Sequence, residues 1–251
     1  MTVPRLVLAS LSGEADADWA RAGSEYADLA ILGGVALDDT TQRAAEEMVA
    51  ARDRTEFLPE DPISFVTDQL DSLAETPIRA GFNVRTTTLA PLREVARECA
   101  TRDAWLELNA HCRQDEMCAV GAGEFLLSHP EALVEQVAAA ASEGAAVSVK
   151  VRAAVDGVDL PALAARLDEA GAAILHVDAM DSEHVIADCR ATFDGFLVAN
   201  NGVRGRESVA EYLGYGADAV SVGRPSDNPR VLRRVRRAVD GWFTEESADA
   251  A

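Results

Sequence analysis

The chain has 251 residues, enough to bury a sizeable core in one domain, and its longest apolar runs are only strand-length, so no membrane span is expected. Acidic residues number 43 against 23 basic ones, for a formal net charge of −20, which reads first as a solvated carboxylate surface. The four cysteines, Cys99, Cys112, Cys118 and Cys189, show no CxxC spacing and no secretory segment is recognised, so neither a zinc site nor a disulfide framework is expected.

Lys150 is the only lysine, and every other basic residue is arginine. Together with the acidity, this bias points to a halophile's cytoplasm, where molar salt shortens the Debye length to about 3 Å and quiets self-repulsion.

Taken in order, residues 5–9 (RLVLA) read as a first strand, followed by a helical stretch around Trp19. Residues 29–34 (LAILGG) form a second, and residues 40–52 a helix capped by Asp39 or Thr40. A helix over 61–73 opens with Pro62; a third strand over 78–84 returns through a helix over 91–100. Residues 105–110 (WLELNA) alternate as a half-buried fourth strand, and a helix follows from Pro130 to Ser142. The fifth strand, 146–151 (AVSVKV), is β-branched and alternating, and is followed by a helix over 160–170 closed by Gly171. Residues 173–178, 196–199 and 219–222 supply strands six to eight. Eight strand-then-helix units without a linker predict a single parallel (β/α)8 TIM barrel over residues 1–243, with 244–251 (TEESADAA) as an acidic disordered tail. An open doubly wound sheet is the alternative, but it leaves the regularity of the eighth unit unexplained.

In a barrel the chemistry collects at the carboxyl ends of the strands. There the sequence puts Asn83 and Arg85 after strand three, Asn109 through Gln114 after four, and Lys150 and Arg152 after five. His176 and Asp178 follow six, Asn200 to Gly202 seven, and Gly223 and Arg224 eight. Asn201-Gly202 and Gly223-Arg224 suit a phosphate site, since glycine admits backbone N–H groups to an anion and arginine supplies charge, although both glycines could simply turn the chain. A lone lysine ending an inward-facing strand suggests a task needing a compact ammonium. Spacing alone favours an inert buried thiol at Cys112 over a nucleophile or an acid, and leaves His176 open between packing and function.

Asn109-Ala110-His111-Cys112, Gly121-Ala122-Gly123 through Leu126-Leu127 and Pro130, Val149-Lys150-Val151-Arg152, Leu175-His176-Val177, Asn201-Gly202 and Gly223-Arg224 occur in an order and spacing that carry a resemblance. The chain resembles a short, archaeal-type member of the tRNA-dihydrouridine synthase group of FMN-dependent barrels, which is similar in turn to the dihydroorotate dehydrogenases. The resemblance implies FMN as cofactor, with Lys150 at the flavin N1/C2 edge, His176 lining the ring, Ser10, Asn83 and Asn109 contacting it, and Asn201, Gly202, Gly223 and Arg224 holding the phosphate. It implies Cys112 as the acid that protonates the substrate carbon, so that Cys112, Lys150 and His176 form the catalytic set. The implied substrate is uridine in tRNA, with NAD(P)H a candidate electron donor.

The chain departs from the pattern at Ser10-Leu11, where the family has Pro-Met, after strand three, where the family's glutamine is missing, and at Arg113, which stands in place of a proline. It is also expected to lack the family's carboxyl-terminal helical tRNA-binding domain. Its one basic cluster, Arg230, Arg233, Arg234, Arg236 and Arg237, reads as a last helix facing an acidic surface, or as a small remnant of an RNA patch. The alternatives are a flavin enzyme acting on a free pyrimidine or other small molecule, a flavin-free barrel binding a phosphorylated metabolite through Lys150, and a non-catalytic descendant of the fold. The oligomeric state is not legible.

Overall fold

The computed structural model describes residues 3–51 and 54–249. Its strands are β1 (Leu6–Leu8), β2 (Leu29–Ala36), β3 (Arg79–Arg85), β4 (Trp105–Asn109), β5 (Ala146–Arg152), β6 (Ile174–Asp178), β7 (Phe196–Asn200) and β8 (Ala219–Val222). Each pairs in parallel with the next, and β8 pairs with β1, so the sheet closes into the expected (β/α)8 barrel. Closure removes the sheet edges that an open arrangement would expose.

Strand alternation sorts the residues into two faces. On β5, Val147, Val149 and Val151 join the layer between sheet and helices, while Ala146 packs with the residues filling the barrel's amino-terminal end. That plug consists of Val7, Leu29, Ile31, Trp105, Ile174, Val198 and Ala219, with Phe196 edge-on to Trp105 at 5.7 Å between centroids. One step along each strand the interior turns polar: Asn83, Glu107, Ser148, His176 and Ser221 are all buried. The barrel is therefore sealed by hydrocarbon at one end and carries its polar layer toward the mouth.

Element boundaries differ from the sequence reading where a local partner decides. The helix Asp39–Ala51 is capped by Asp38, whose Oδ1 accepts from the backbone N–H groups of Thr40 and Thr41 at 3.0 and 2.9 Å. Its Oδ2 accepts from Thr86 Oγ1 and Thr87 N, tying the end of β2 to the end of β3. The next return helix begins at Leu89, two residues before Pro91, because a proline in the first turn removes an N–H that has no intrahelical partner. Two short helices, Asp115–Ala119 and Phe125–Ser128, fill the stretch between β4 and Pro130. The last helix runs from Pro229 to Asp249, past Thr244, where the sequence reading began its tail; residues 250–251 lie outside the described residues. Among the described residues no helix is long and apolar enough to cross a membrane.

Candidate active site

The polar layer is one connected network. Asn109 Nδ2 donates to Asn83 Oδ1 at 2.8 Å, and Asn83 Nδ2 donates to Glu107 Oε1 at 2.8 Å. Glu107 Oε2 accepts from Ser148 Oγ at 3.2 Å and lies 2.7 Å from His176 Nδ1. Glu107 is held below the carboxylate range, so it accepts and His176 Nδ1 carries the proton of that bond. His176 Nε2 lies 2.7 Å from Ser221 Oγ, which also accepts from Asn200 Nδ2. Side chains from β3, β4, β5, β7 and β8 are thus linked to one imidazole, which itself contacts Glu107 and Ser221. Burial works against ionising Glu107, but His176, Lys150 and the Asn83 hydrogen bond outweigh it and hold its carboxyl down to about 2.

Lys150 stands one step nearer the mouth, in register with Asn109 on one side and His176 on the other. It is 6% exposed, and among the described residues its ammonium has no hydrogen-bond or ion-pair partner. A buried cation without a direct partner is expensive to hold.

Beside it, His111 Nε2 lies 2.6 Å from Asp178 Oδ2, while Asp178 Oδ1 accepts from Asn201 Nδ2 at 2.7 Å. Burial pushes the His111 imidazole below its ordinary 6.5, Asp178 pulls the other way, and the Lys150 and His176 charges add to the lowering. Burial resists ionisation of Asp178, yet its bonds from His111 and Asn201 keep it an anion well below the carboxylate range. Near neutral pH the pair is an oriented neutral imidazole on a carboxylate, and among the described residues Nδ1 has no hydrogen-bond partner.

Cys112 occupies a different setting. Asn109 Oδ1 accepts from the backbone N–H groups of His111 and Cys112, turning the chain at the end of β4. The Cys112 side chain then packs with Ala36, Ala44, Ala45, Met48, Met117 and Ala122, next to the Arg85 guanidinium. Arg85 is itself buried, bonded to Gly34 O at 2.8 Å and paired with Glu56 Oε2 at 2.5 Å. Thus Lys150, His176, Asn83 and Asn109 come together, whereas the Cys112 thiol belongs to a neighbouring unit with Arg85 and Glu56.

At the β7–β8 corner Asn201 has φ 86° and Gly202 φ 64°, a left-handed turn that lets the Asn201 side chain reach back to Asp178. Side-chain atoms built onto Gly202 or Gly223 would meet nothing within 4 Å, so both glycines border open space. Arg224 is exposed and has no hydrogen-bond or ion-pair partner among the described residues, and Ser10 follows β1, partly exposed. The corner has the shape and charge to receive an anion.

Sequence reasoning passed over Glu107, Ser148, Ser221 and Glu56. The first three do carry a signal: each is a polar side chain on the inward parity of a strand whose other parity is aliphatic. Glu56 lies in a loop with no periodicity, and only the tertiary fold brings it to Arg85. Among the described residues no group of three or more histidine, cysteine, aspartate or glutamate side chains is arranged to hold a metal ion.

No family model matches the chain. Over 233 residues, 88% of each chain, it is 27% identical to the uncharacterized protein MJ0144 of Methanocaldococcus jannaschii. Among solved structures it is similar to morphinone reductase in complex with tetrahydroNAD, with a TM-score of 0.62 and 15% identity over 91% of this chain and 86% of that one. A second morphinone reductase structure gives 0.63 at 15% identity over 93% and 85%. A FabK mutant from Thermotoga maritima gives 0.56 at 14% identity, over 88% of this chain and 61% of that one. What the solved structures share with the chain is its fold.

Proposed function

We propose that the chain is an FMN-dependent oxidoreductase that reduces a carbon–carbon double bond conjugated to a carbonyl in a uracil-like ring, with NAD(P)H as electron donor. The observation that carries this reading is Lys150, the sole lysine, buried at the end of β5 without a direct partner and flanked in register by Asn109 and His176. That ammonium fits the electron-rich N1/C2 edge of a flavin, and the open corner at Gly202, Gly223 and Arg224 fits its phosphate. When bound, FMN supplies the two-electron chemistry. The fold shared with morphinone reductase, which in one structure is in complex with tetrahydroNAD, supports the reading without carrying it.

The chain's own residues hold, orient and move protons. Asn83 and Asn109 are locked to each other and to Glu107, and Asn109 Oδ1 is held by the His111 and Cys112 N–H groups, so the second N–H of each amide is kept in a fixed orientation. His176 is clamped between Glu107 and Ser221 and forms a rigid polar wall beneath Lys150. The family resemblance assigned the proton to Cys112. Because that thiol packs among apolar side chains and Arg85, we give the role to His111, which donates from Nδ1 when protonated while Asp178 and Asn201 hold the ring.

Uridine in tRNA is the substrate the resemblance implies; the net charge of −20 favours a free pyrimidine or another small conjugated carbonyl compound. The test is the visible absorbance of protein incubated with FMN and desalted in the same salt, for the wild type and Arg224→Ala. Retained flavin bands that weaken in the variant support the reading, and a wild type that stays colourless refutes it. Reoxidation of the reduced holoprotein by uridine-containing RNA, or by free uracil compounds alone, then separates the two substrates.

A further inference from the structure

The arginine cluster of the last helix is not consumed by the barrel mouth. Arg230, Arg233, Arg234 and Arg237 face Arg206, the first residue of the helix Arg206–Gly214, across a groove of about 560 Å³. Many arginines elsewhere on the chain are paired with carboxylates, as in Arg102 with Asp71 and Glu98, Arg152 with Glu124, and Arg236 with Asp28 and Asp240. In the groove the pattern stops. Arg233 donates to Tyr26 Oη, Arg234 donates to the Arg204 carbonyl, and Arg206 lies 3.6 Å from Glu245. Among the described residues Arg230, Arg233, Arg234 and Arg237 have no carboxylate partner, on a chain carrying 43 acidic residues.

Five guanidinium groups around one depression repel one another, and a surface this rich in carboxylates could have neutralised them. We propose that the groove is a second anion site, separate from the β7–β8 corner, that takes a compact oligophosphate of the kind carried by a nucleoside polyphosphate. Guanidinium forks match phosphate oxygens in pairs, so several of them around one cavity recognise adjacent phosphates better than a single carboxylate. The volume is that of a small-molecule pocket. A compact ligand also keeps its charge inside the groove, whereas an extended polyanion would run onto a surface of net charge −20. The inference does not depend on the flavin reading.

The experiment is a calorimetric titration of the full chain with ATP at fixed salt, repeated with inorganic tripolyphosphate, adenosine and a single-stranded oligonucleotide series. The proposal expects ATP and tripolyphosphate to bind competitively and adenosine not to bind. Arg230→Gln/Arg237→Gln should weaken ATP binding at least tenfold, while Arg43→Gln on a distant helix leaves it unchanged. Both changed side chains are exposed and unpaired, so the melting temperature of the double variant should match the wild type and show that a loss is not misfolding. No ATP binding by the wild type, or equal binding by the double variant, overturns the proposal. So does affinity confined to oligonucleotides and rising with their length, which would assign the groove to nucleic acid.

Discussion

Glu107 Oε2 and His176 Nδ1 lie 2.7 Å apart across β5, with side chains 0% and 1% exposed. They come from strands that do not pair with each other, and only the barrel's curvature brings them together. This contact anchors the polar layer under Lys150.

The carboxyl of Glu107 is lower in the folded chain than its ordinary 4.5, at about 2, so the stability it contributes is complete above 4.5 and lost as the pH falls toward 2. Glu107→Gln should flatten that acid limb. Near neutral pH it should also lower stability by about 2–3 kcal/mol, because His176, Ser148 and Asn83 lose a buried, charged hydrogen-bond acceptor. Urea denaturation of both proteins from about pH 2 to 7 checks both effects.

Lys150→Met replaces an unpartnered buried ammonium with a side chain of similar length. The melting temperature should hold or rise, since no direct bond is lost and desolvation is relieved. FMN retention should fall at least tenfold, about 1.4 kcal/mol. Thermal melts and equilibrium dialysis report the two outcomes separately, and a variant that binds FMN as tightly as the wild type removes Lys150 from the site.

His111 sits below 6.5 in the folded chain through burial, although Asp178 opposes the shift. The folded chain therefore binds less proton there than the unfolded one, and stability declines as the pH falls from 6.5 through the folded value. Asp178→Asn removes the opposing contribution and should depress the imidazole further, as read by an NMR titration. If His111 delivers the proton, turnover rises as the pH falls through that same value. His111→Gln should flatten the profile and Cys112→Ala should leave its shape intact; the reverse pattern returns the role to Cys112.

Gly123 has φ 65° and a Cβ there would collide with the Cys112 carbonyl, so Gly123→Ala should destabilise by about 2 kcal/mol. Gly223 is outside the left-handed region and opens on empty space, so Gly223→Asp should fold with a stability change within about 0.5 kcal/mol. Its carboxylate should nonetheless repel a phosphate and abolish FMN retention. Melting curves beside flavin absorbance distinguish a folding defect from a binding defect.

Much of the architecture was legible in the chain. Aliphatic alternation located all eight strands to within a residue or two, because an inward and an outward face must each be satisfied at period two. The ring of polar residues at the strand ends followed from the same count, and Lys150 stood out because it is the only lysine. Cap details were less legible: Asp38, rather than Asp39 or Thr40, closes the second helix because it also reaches Thr86 and Thr87 on the next strand.

The sequence by itself determined the barrel, the identity of its mouth and most of the groups there, since these depend on local periodicity and on the order of elements. Only the tertiary structure decided which groups meet. Glu107 reaches His176, His111 reaches Asp178, and Cys112 turns to Arg85 and a cluster of methionines and alanines. Those partnerships join residues dozens of positions apart, and strand register together with barrel curvature, which no local pattern encodes, brings them within hydrogen-bond distance.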